Sequence, residues 1–302
     1  MSKLWRYLLI ILLLITITTW LAVLTSENNN FKIIACDVGQ GDAILAVYGQ
    51  TEILIDGGPN NKVLDCLSRH MPFWDRKIEA VMMTHPEKDH YYGLIDVFKS
   101  YDVSYFITSG LDSVSQDYQV LKREVGSSGA TVLRVRSDQS IRIGLMHLDI
   151  LHPSEEYIAG NSSENSAQVL GAFTTLKNKN DFSIVAGLSF GEFDALLTGD
   201  IEDNVSDMIA GELTLRTKRE WEYIKVPHHG SKNGLSQKLL DVVNPKLAII
   251  SSGKNNSYGH QHEEVLKLFI DKNIKILRTD ERGDVAVETD GKSYWLIKLI
   301  NR

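Results

Sequence analysis

His85-Pro-Glu-Lys-Asp-His90 places four potential metal donors, His85, Glu87, Asp89 and His90, within six residues. Imidazole nitrogens and carboxylate oxygens are the donors that hold the divalent cations of hydrolytic sites. An apolar run at residues 80–84 precedes them and reads as a buried strand. A loop leaving such a strand end can turn its side chains toward one point. Four ionisable groups buried there without a cation would be costly, because unpaired buried charge is expensive. A solvated polar loop is the bland alternative, and clusters at other strand ends count against it.

Asp37-Val-Gly-Gln-Gly-Asp42 closes the first apolar segment. Its glycines allow close backbone approach to a ligand, and Asp37, Gln40 and Asp42 can orient neighbouring groups or simply cap a turn. Asp56, in Asp56-Gly-Gly58, can back a metal ligand from behind or cap its own turn. Asp200, in Thr198-Gly-Asp200, is a weak signal alone; as a fifth ligand it would bridge two cations. Pro227-His-His-Gly-Ser231 sets His228 and His229 after a buried strand and is a stronger signal.

The elements that must position these clusters are legible as patterns. Apolar segments 31–36, 43–48 and 51–55 read as strands, the last two joined by the tight turn Gly49-Gln50. Further strands are expected over 103–107, 131–135, 146–151, 182–188, 193–198, 223–226, 247–250, 274–277, 285–288 and 294–299. Helices are expected over 61–70, 90–99, 114–125, 203–210, 236–243 and 263–270. Two strand-rich halves with interspersed helices predict an α/β protein with two sheets face to face and helices outside.

Residues 7–26 carry no charge and are rich in Leu and Ile. As a helix they span about 30 Å, the hydrocarbon thickness of a bilayer. Lys3 and Arg6 precede this run, and Glu27 follows it, so the positive-inside rule keeps the N-terminus cytoplasmic and the body outside. Residues 1–26 are therefore expected to be a membrane anchor, with a cleaved signal segment as the alternative. Residues 31–302 form the body.

The chain has 302 residues, 43% hydrophobic and 24% charged, ordinary values for a globular protein. Its net charge of −7 writes no basic face into the composition and weighs against tight nonspecific DNA binding. Arg134, Arg136 and Arg142, or Arg216, Lys218 and Arg219, could still line a local basic path, although solvated faces are their commoner use. Cys36 and Cys66 lack metal-ligand spacing; two apolar fillers are preferred here to a disulfide.

With these motifs in hand, the chain resembles the metallo-β-lactamase superfamily. More specifically, it is similar to the extracellular hydrolase domain of ComEC competence proteins. The motifs are His85-x-Glu87-x-Asp89-His90, Asp37-Val-Gly-Gln-Gly-Asp42-Ala, Leu54-Ile-Asp-Gly-Gly58, Leu197-Thr-Gly-Asp-Ile-Glu202, Lys225-Val-Pro-His-His-Gly-Ser-Lys232 and Tyr258-Gly-His260. The resemblance implies a four-layer αβ/βα sandwich behind one transmembrane helix, with two divalent cations, zinc or manganese, at the sheet-edge cleft. His85 and Glu87 would serve one metal, Asp89 and His90 the other, with Asp200 bridging and His229 completing the second. Asp89 would also share in catalysis. His228, Ser231 and His260 would bind phosphate or protonate a leaving group, with Asp37, Gln40, Asp42 and Asp56 in support. Glu87 stands where many members have histidine, which favours harder cations such as manganese or magnesium. A middle histidine of the common pattern is missing; of His147 and His152, the latter is the better candidate, though packing is the commoner role for it.

The function implied is a membrane-anchored, extracytoplasmic phosphodiesterase or nuclease, with single-stranded DNA as a candidate substrate. One apolar helix makes no channel, so a separately encoded channel protein is an expected partner. A small-molecule or envelope phosphodiesterase resembling phosphorylcholine esterases is the alternative. It would need an aromatic cage, for which Trp74, Tyr91 and Tyr92 lie near the motifs. A non-catalytic membrane accessory protein is the reading from another class. The polar segment 154–180 reads as a lid or as a tolerated insertion.

Overall fold

A computed structural model describes residues 3–25, 30–164, 170–215, 219–254 and 256–297. Helix α1 (Lys3–Thr25) is apolar enough to cross a membrane, with mean hydropathy 1.9 and no burial against the body over Lys3–Leu21. Three of its threonines, Thr16, Thr18 and Thr19, are satisfied within the helix. Thr16 and Thr19 donate to the carbonyls of Leu12 and Ile15 at 2.8 and 2.7 Å, as an apolar surrounding demands.

The body begins with β1 (Phe31–Ala35), β2 (Ile44–Tyr48) and β3 (Thr51–Ile55), an antiparallel meander in which Tyr48 faces Thr51 across the tight turn. Helix α2 (Lys62–His70) then leads to β4 (Lys77–Met83), helices α3 (Lys88–Tyr91) and α4 (Leu94–Ser100), β5 (Asp102–Thr108), α5 (Gln116–Ser128) and β6 (Thr131–Arg134). A second sheet follows, opening with β7 (Ser140–Ile143) and β8 (Met146–His152). Helix α6 (Glu155–Asn161) and the short pair β9 (Ser163–Glu164) and β10 (Phe173–Thr174) stand outside it. The second sheet continues with β11 (Val185–Phe190), β12 (Phe193–Leu197), α7 (Asp203–Leu215), β13 (Tyr223–Lys225), α8 (Gln237–Val243), β14 (Leu247–Ile250), α9 (Glu263–Asp271) and β15 (Lys275–Arg278). After the short helix α10 (Thr279–Arg282), β16 (Val285–Thr289) and β17 (Tyr294–Ile297) return to the first sheet. Its order is β17-β16-β1-β2-β3-β4-β5-β6, against β15-β14-β13-β12-β11-β8-β7 in the second.

Both faces of these strands are covered, which is why they read as nearly continuous apolar runs. Phe31, Ile33 and Ala35 of β1 point between the sheets, where they meet Ile150, Ala186 and Leu188. Ile34 points the other way, with Val63 of α2, Leu94 of α4 and Leu121 of α5. Ile224 and Ala248 pack outward against Val205 of α7, Leu239 of α8 and Phe269 of α9. The result is the expected four-layer αβ/βα sandwich. Strands β3 to β6 run parallel, as do β12 to β15, so their carboxyl ends open on sheet edges suited to ligand sites.

Several expectations change in detail. The single helix expected over 90–99 breaks into α3 and α4 at Gly93. There the loop after β3 takes over the backbone bonds, with Gly57 donating to His90 O at 2.6 Å and Gly93 donating to Gly58 O at 2.9 Å. Cys36 and Cys66 form a disulfide, Cα–Cα 5.8 Å, rather than two apolar fillers. Cys36 sits just past β1 on the face covered by α2, and that packing brings two residues 30 apart into contact. Within segment 154–180, Ile158, Ala172 and Phe173 build a small core with Leu111 and Phe182. Glu27, Arg216 and Lys218, and the end of the last expected strand at 298–299, lie outside the described residues.

Candidate metal centre

Five strand ends deliver the site. Asp56 follows β3, His85 follows β4 with Asp89 and His90 on α3 just beyond, Asp200 follows β12, His228 and His229 follow β13, and Ser251 follows β14. Two backbone devices close the loops together. Gly41, at φ +142°, lies so close to the carbonyl of Asp89 that a side chain would collide with it, and Asp42 N donates to that carbonyl at 3.2 Å. His228 and His229 both adopt left-handed backbone, φ 48° and 53°, a conformation that non-glycine residues hold only when their surroundings require it. One donor atom from each of Asp89, His90, Asp200 and His229 then falls within 4.8 Å of the others.

The three buried histidines at these strand ends, His85, His90 and His229, share one orientation. Thr84 Oγ1 donates its only proton to Asp56 Oδ2 at 2.7 Å, so at 3.0 Å it must accept from His85 Nδ1. His90 Nδ1 donates to Asp56 Oδ2 at 2.8 Å, and His229 Nδ1 donates to Ser251 O at 3.0 Å. Each ring therefore turns Nε2 inward; all three Nε2 atoms are buried, and the groups nearest those of His90 and His229 are the carboxylates of the cluster. An outer Nδ1–H on a protein acceptor and an inner Nε2 lone pair is how metal-binding histidines are held. The residues present fit a metal.

The carboxylates converge on the same point. Asp200 Oδ2 lies 3.1 Å from both His90 Nε2 and His229 Nε2, and Asp89 Oδ2 lies 3.3 Å from His229 Nε2. Burial alone would raise the Asp200 carboxyl, yet His229, His90 and Lys225 hold it well below the usual carboxylate range. Burial likewise opposes charge on His90, but Asp200 and Asp56 beside it raise its pKa well above the usual value. His85, with burial and His90 both against its charged form, falls to about 3 and stays neutral. Asp56, raised by burial, has that shift opposed by His90 and Thr84.

The sequence-derived candidates divide into three groups. Asp89, His90, Asp200 and His229 come together, with His85 beside them at 4.2 Å from His90 between ring centroids, Asp56 behind His90 and Asp42 Oδ1 3.4 Å from His229 Nδ1. His228 and His260 stand one ring further out, their ring centroids 5.4 Å apart. Gln40 joins them, its Nε2 3.4 Å from His260 Nδ1, while its Oε1 accepts from Gly253 N at 3.1 Å. The remaining candidates stand apart. Glu87 points outward to Lys179 Nζ at 2.9 Å. Asp37 caps its own loop at Gly39 N, and Ser231 Oγ faces Asn233 N. His152 is buried against Tyr157, its Nε2 2.8 Å from Asp181 O, and burial takes it down to about 4. It belongs to packing, while His147 is exposed on β8. Arg136 and Arg219 are engaged with Glu155 and Asp149, away from the cluster.

Sequence reasoning passed over Lys225. It is buried at 1% exposure, paired with Asp42, and its Nζ lies 3.2 Å from Asp200 Oδ1. A lysine inside the apolar strand Tyr223-Ile-Lys-Val226 was the available signal, since lysine is almost never fully buried unless paired. Asn180 was also missed; its Nδ2 reaches 3.4 Å from His228 Nε2, so the end of segment 154–180 borders the site.

No family model matches the chain. ComE operon protein 3 of Bacillus subtilis is 27% identical over 274 residues, covering 82% of this chain and 32% of that protein. Recombination protein 2 of Haemophilus influenzae is 27% identical over 255 residues, covering 83% of this chain and 28% of that protein. The chain thus spans about a third of the length of the curated relatives it matches. Among solved structures, the metallo-β-lactamase fold protein YhfI from Bacillus subtilis superposes with TM-score 0.54 at 10% identity, over 85% of this chain and 99% of YhfI. Layers, strand-end site and superposition agree: the chain has the metallo-β-lactamase fold, and its curated relatives are ComEC-like competence proteins.

Proposed function

We propose that the protein is a metal-dependent phosphodiesterase held outside the cytoplasm by α1, with single-stranded DNA as its substrate. The observation that carries this reading is the gathering of the inward Nε2 atoms of His90 and His229 with Asp89 and Asp200, with His85 beside His90. His85, Asp89, His90, Asp200 and His229 would hold one or two divalent cations, manganese or zinc. Such cations supply positive charge at phosphoryl oxygens and a water activated for attack. Asp56 and Ser251 fix the ring orientations, and Lys225 keeps Asp200 ionised. His228 and His260 are kept neutral, the first lowered and the second taken to about 4, burial being the main cause in both. A neutral imidazole offers one N–H, so these two suit hydrogen bonds to phosphate oxygens.

The name of one relative, Recombination protein 2, favours DNA. A channel partner from a separate chain is part of the same proposal. The choline alternative loses its cage: Tyr91 is buried with its OH on Ser115 Oγ at 2.7 Å, Tyr92 faces Lys88, and Trp74 packs on Phe73. An outside location accords with the Cys36–Cys66 disulfide, since such bonds persist in oxidising surroundings. The test is cleavage of single-stranded DNA, double-stranded DNA and bis-p-nitrophenyl phosphate by the full chain with manganese, zinc or magnesium, against Asp200→Ala. Cleavage of single-stranded DNA that the variant lacks supports the proposal; no cleavage of any diester overturns it.

A further inference from the structure

Rings climb out of the metal cluster in steps. His229 lies 6.2 Å from His260 between ring centroids, and His228 lies 5.4 Å from His260 on another side. Tyr258 continues the climb, stacked on His260 at 5.7 Å with only 27° between the planes. Tyr258 is 68% exposed, so its other face is open to solvent. Most aromatic rings of the body are buried in its cores, and an exposed ring fixed beside a buried cluster of donors is a different kind of feature. The loop that carries it is braced by Asn256, whose Oδ1 accepts from His260 N at 3.0 Å and whose Nδ2 donates to Gly253 O at 3.0 Å. Lys254 on the same loop and Lys232 beside His262 are exposed and add positive charge along the approach.

We propose that Tyr258, seated on His260, is the ledge on which an unpaired nucleobase next to the scissile phosphate stacks. This deepens the diesterase reading and rests on it. Tyr258 stands two ring-steps from His229 by way of His260, at centroid separations of 6.2 and 5.7 Å, a span that the nucleoside next to a phosphate held at the cluster would cover. Every base has a π-face, so such a ledge selects for single strands without selecting sequence. A duplex hides its base faces in the stack. The His260 ring beneath Tyr258 supports the phenol by ring contact.

The test compares kcat/KM of the full chain on a short thymidine oligomer and on the same oligomer with abasic sugars, for wild type, Tyr258→Ala and Tyr258→Phe. Stacking on an aromatic side chain gives roughly tenfold or more per base. The wild type should therefore prefer the base-bearing oligomer by about that factor, mainly through KM. Tyr258→Ala should bring the ratio close to one, and Tyr258→Phe should restore it. Tyr258 being exposed, a matching thermal midpoint for the variants will separate this effect from misfolding. A wild type that cleaves both oligomers equally, or an alanine variant that keeps the preference, overturns the ledge and leaves the diesterase reading standing. A wild type that cleaves neither overturns the diesterase reading itself.

Discussion

Strand β3 carries a buried carboxylate near each end, and the two ends follow opposite rules. At its start, Glu52 is wholly buried and neither carboxyl oxygen meets a donor among the described residues. Burial, with Asp75 and Glu79 nearby, pushes it up to about 8, so it is held as the neutral acid. Just past the other end, Asp56 accepts from Thr84 N, Thr84 Oγ1 and His90 Nδ1 at 2.7–2.8 Å. Its neighbours Asp42 and Asp200 stay ionised beside Lys225 and the histidines. Burial raises both acids; at Glu52 nearby acids add to the rise, whereas at Asp56 the donors His90 and Thr84 oppose it. Only the second arrangement has lone pairs and charge left to offer a cation.

That contrast can be broken by experiment. Asp200→Ala should cost the most: activity falls on the order of a thousandfold or more, as when other preorganised charge is removed from a site. Metal content measured on the purified variant should fall with it, and an active, fully metallated variant would defeat the shared-ligand assignment. Reducing the Cys36–Cys66 bond should come next. It joins the start of the 37–42 loop to α2, and its loss should cost about 2–4 kcal/mol. Thermal unfolding with and without reductant checks this, and an unshifted midpoint would show that the site end needs no staple.

Glu52→Gln should act in the opposite direction. The Glu52 pKa is raised on folding from 4.5 to about 8, so the folded state holds a proton that the unfolded chain gives up. Stability contributed by this group is therefore present below about pH 4.5 and lost as pH rises through about 8. The amide keeps the neutral form at every pH. It should stabilise the protein by on the order of 2 kcal/mol in alkali and by little in acid. Denaturant midpoints across that window decide the matter; a destabilised variant in alkali would mean Glu52 has a partner there. The smallest effect belongs to Glu87→Gln. Its partner Lys179 and its own side chain are partly exposed, at 31% and 40%, so the pair is worth about 0–1 kcal/mol. Metal titration should shift by less than about fivefold. A larger loss would return Glu87 to the metal shell.

Much of the site was legible because its chemistry is local. His85, Asp89 and His90 lie on one loop, and a loop that follows an apolar strand has few places to point. Asp200 and His229 announced themselves by the same grammar, a polar residue just past an apolar run. Glu87 stands apart from Asp89 because alternate residues of a loop share spacing but not direction: at the N-terminus of α3 its backbone is extended, while Asp89 lies within the helix. His152 has the right residue type at a strand end, but its neighbour there is Tyr157, not the cluster.

The sequence by itself determined the layers, the donor loops and the apolar N-terminal helix, because these follow from hydrophobic period and from residue type at strand ends. Tertiary structure alone decided which Nε2 atoms face inward, since that depends on where Thr84, Asp56 and Ser251 place their acceptors. It alone paired Cys36 with Cys66, set Lys225 between Asp42 and Asp200, and laid Tyr258 on His260. Each of these is a contact between segments distant in the chain, fixed by how two sheets pack and not by any local pattern.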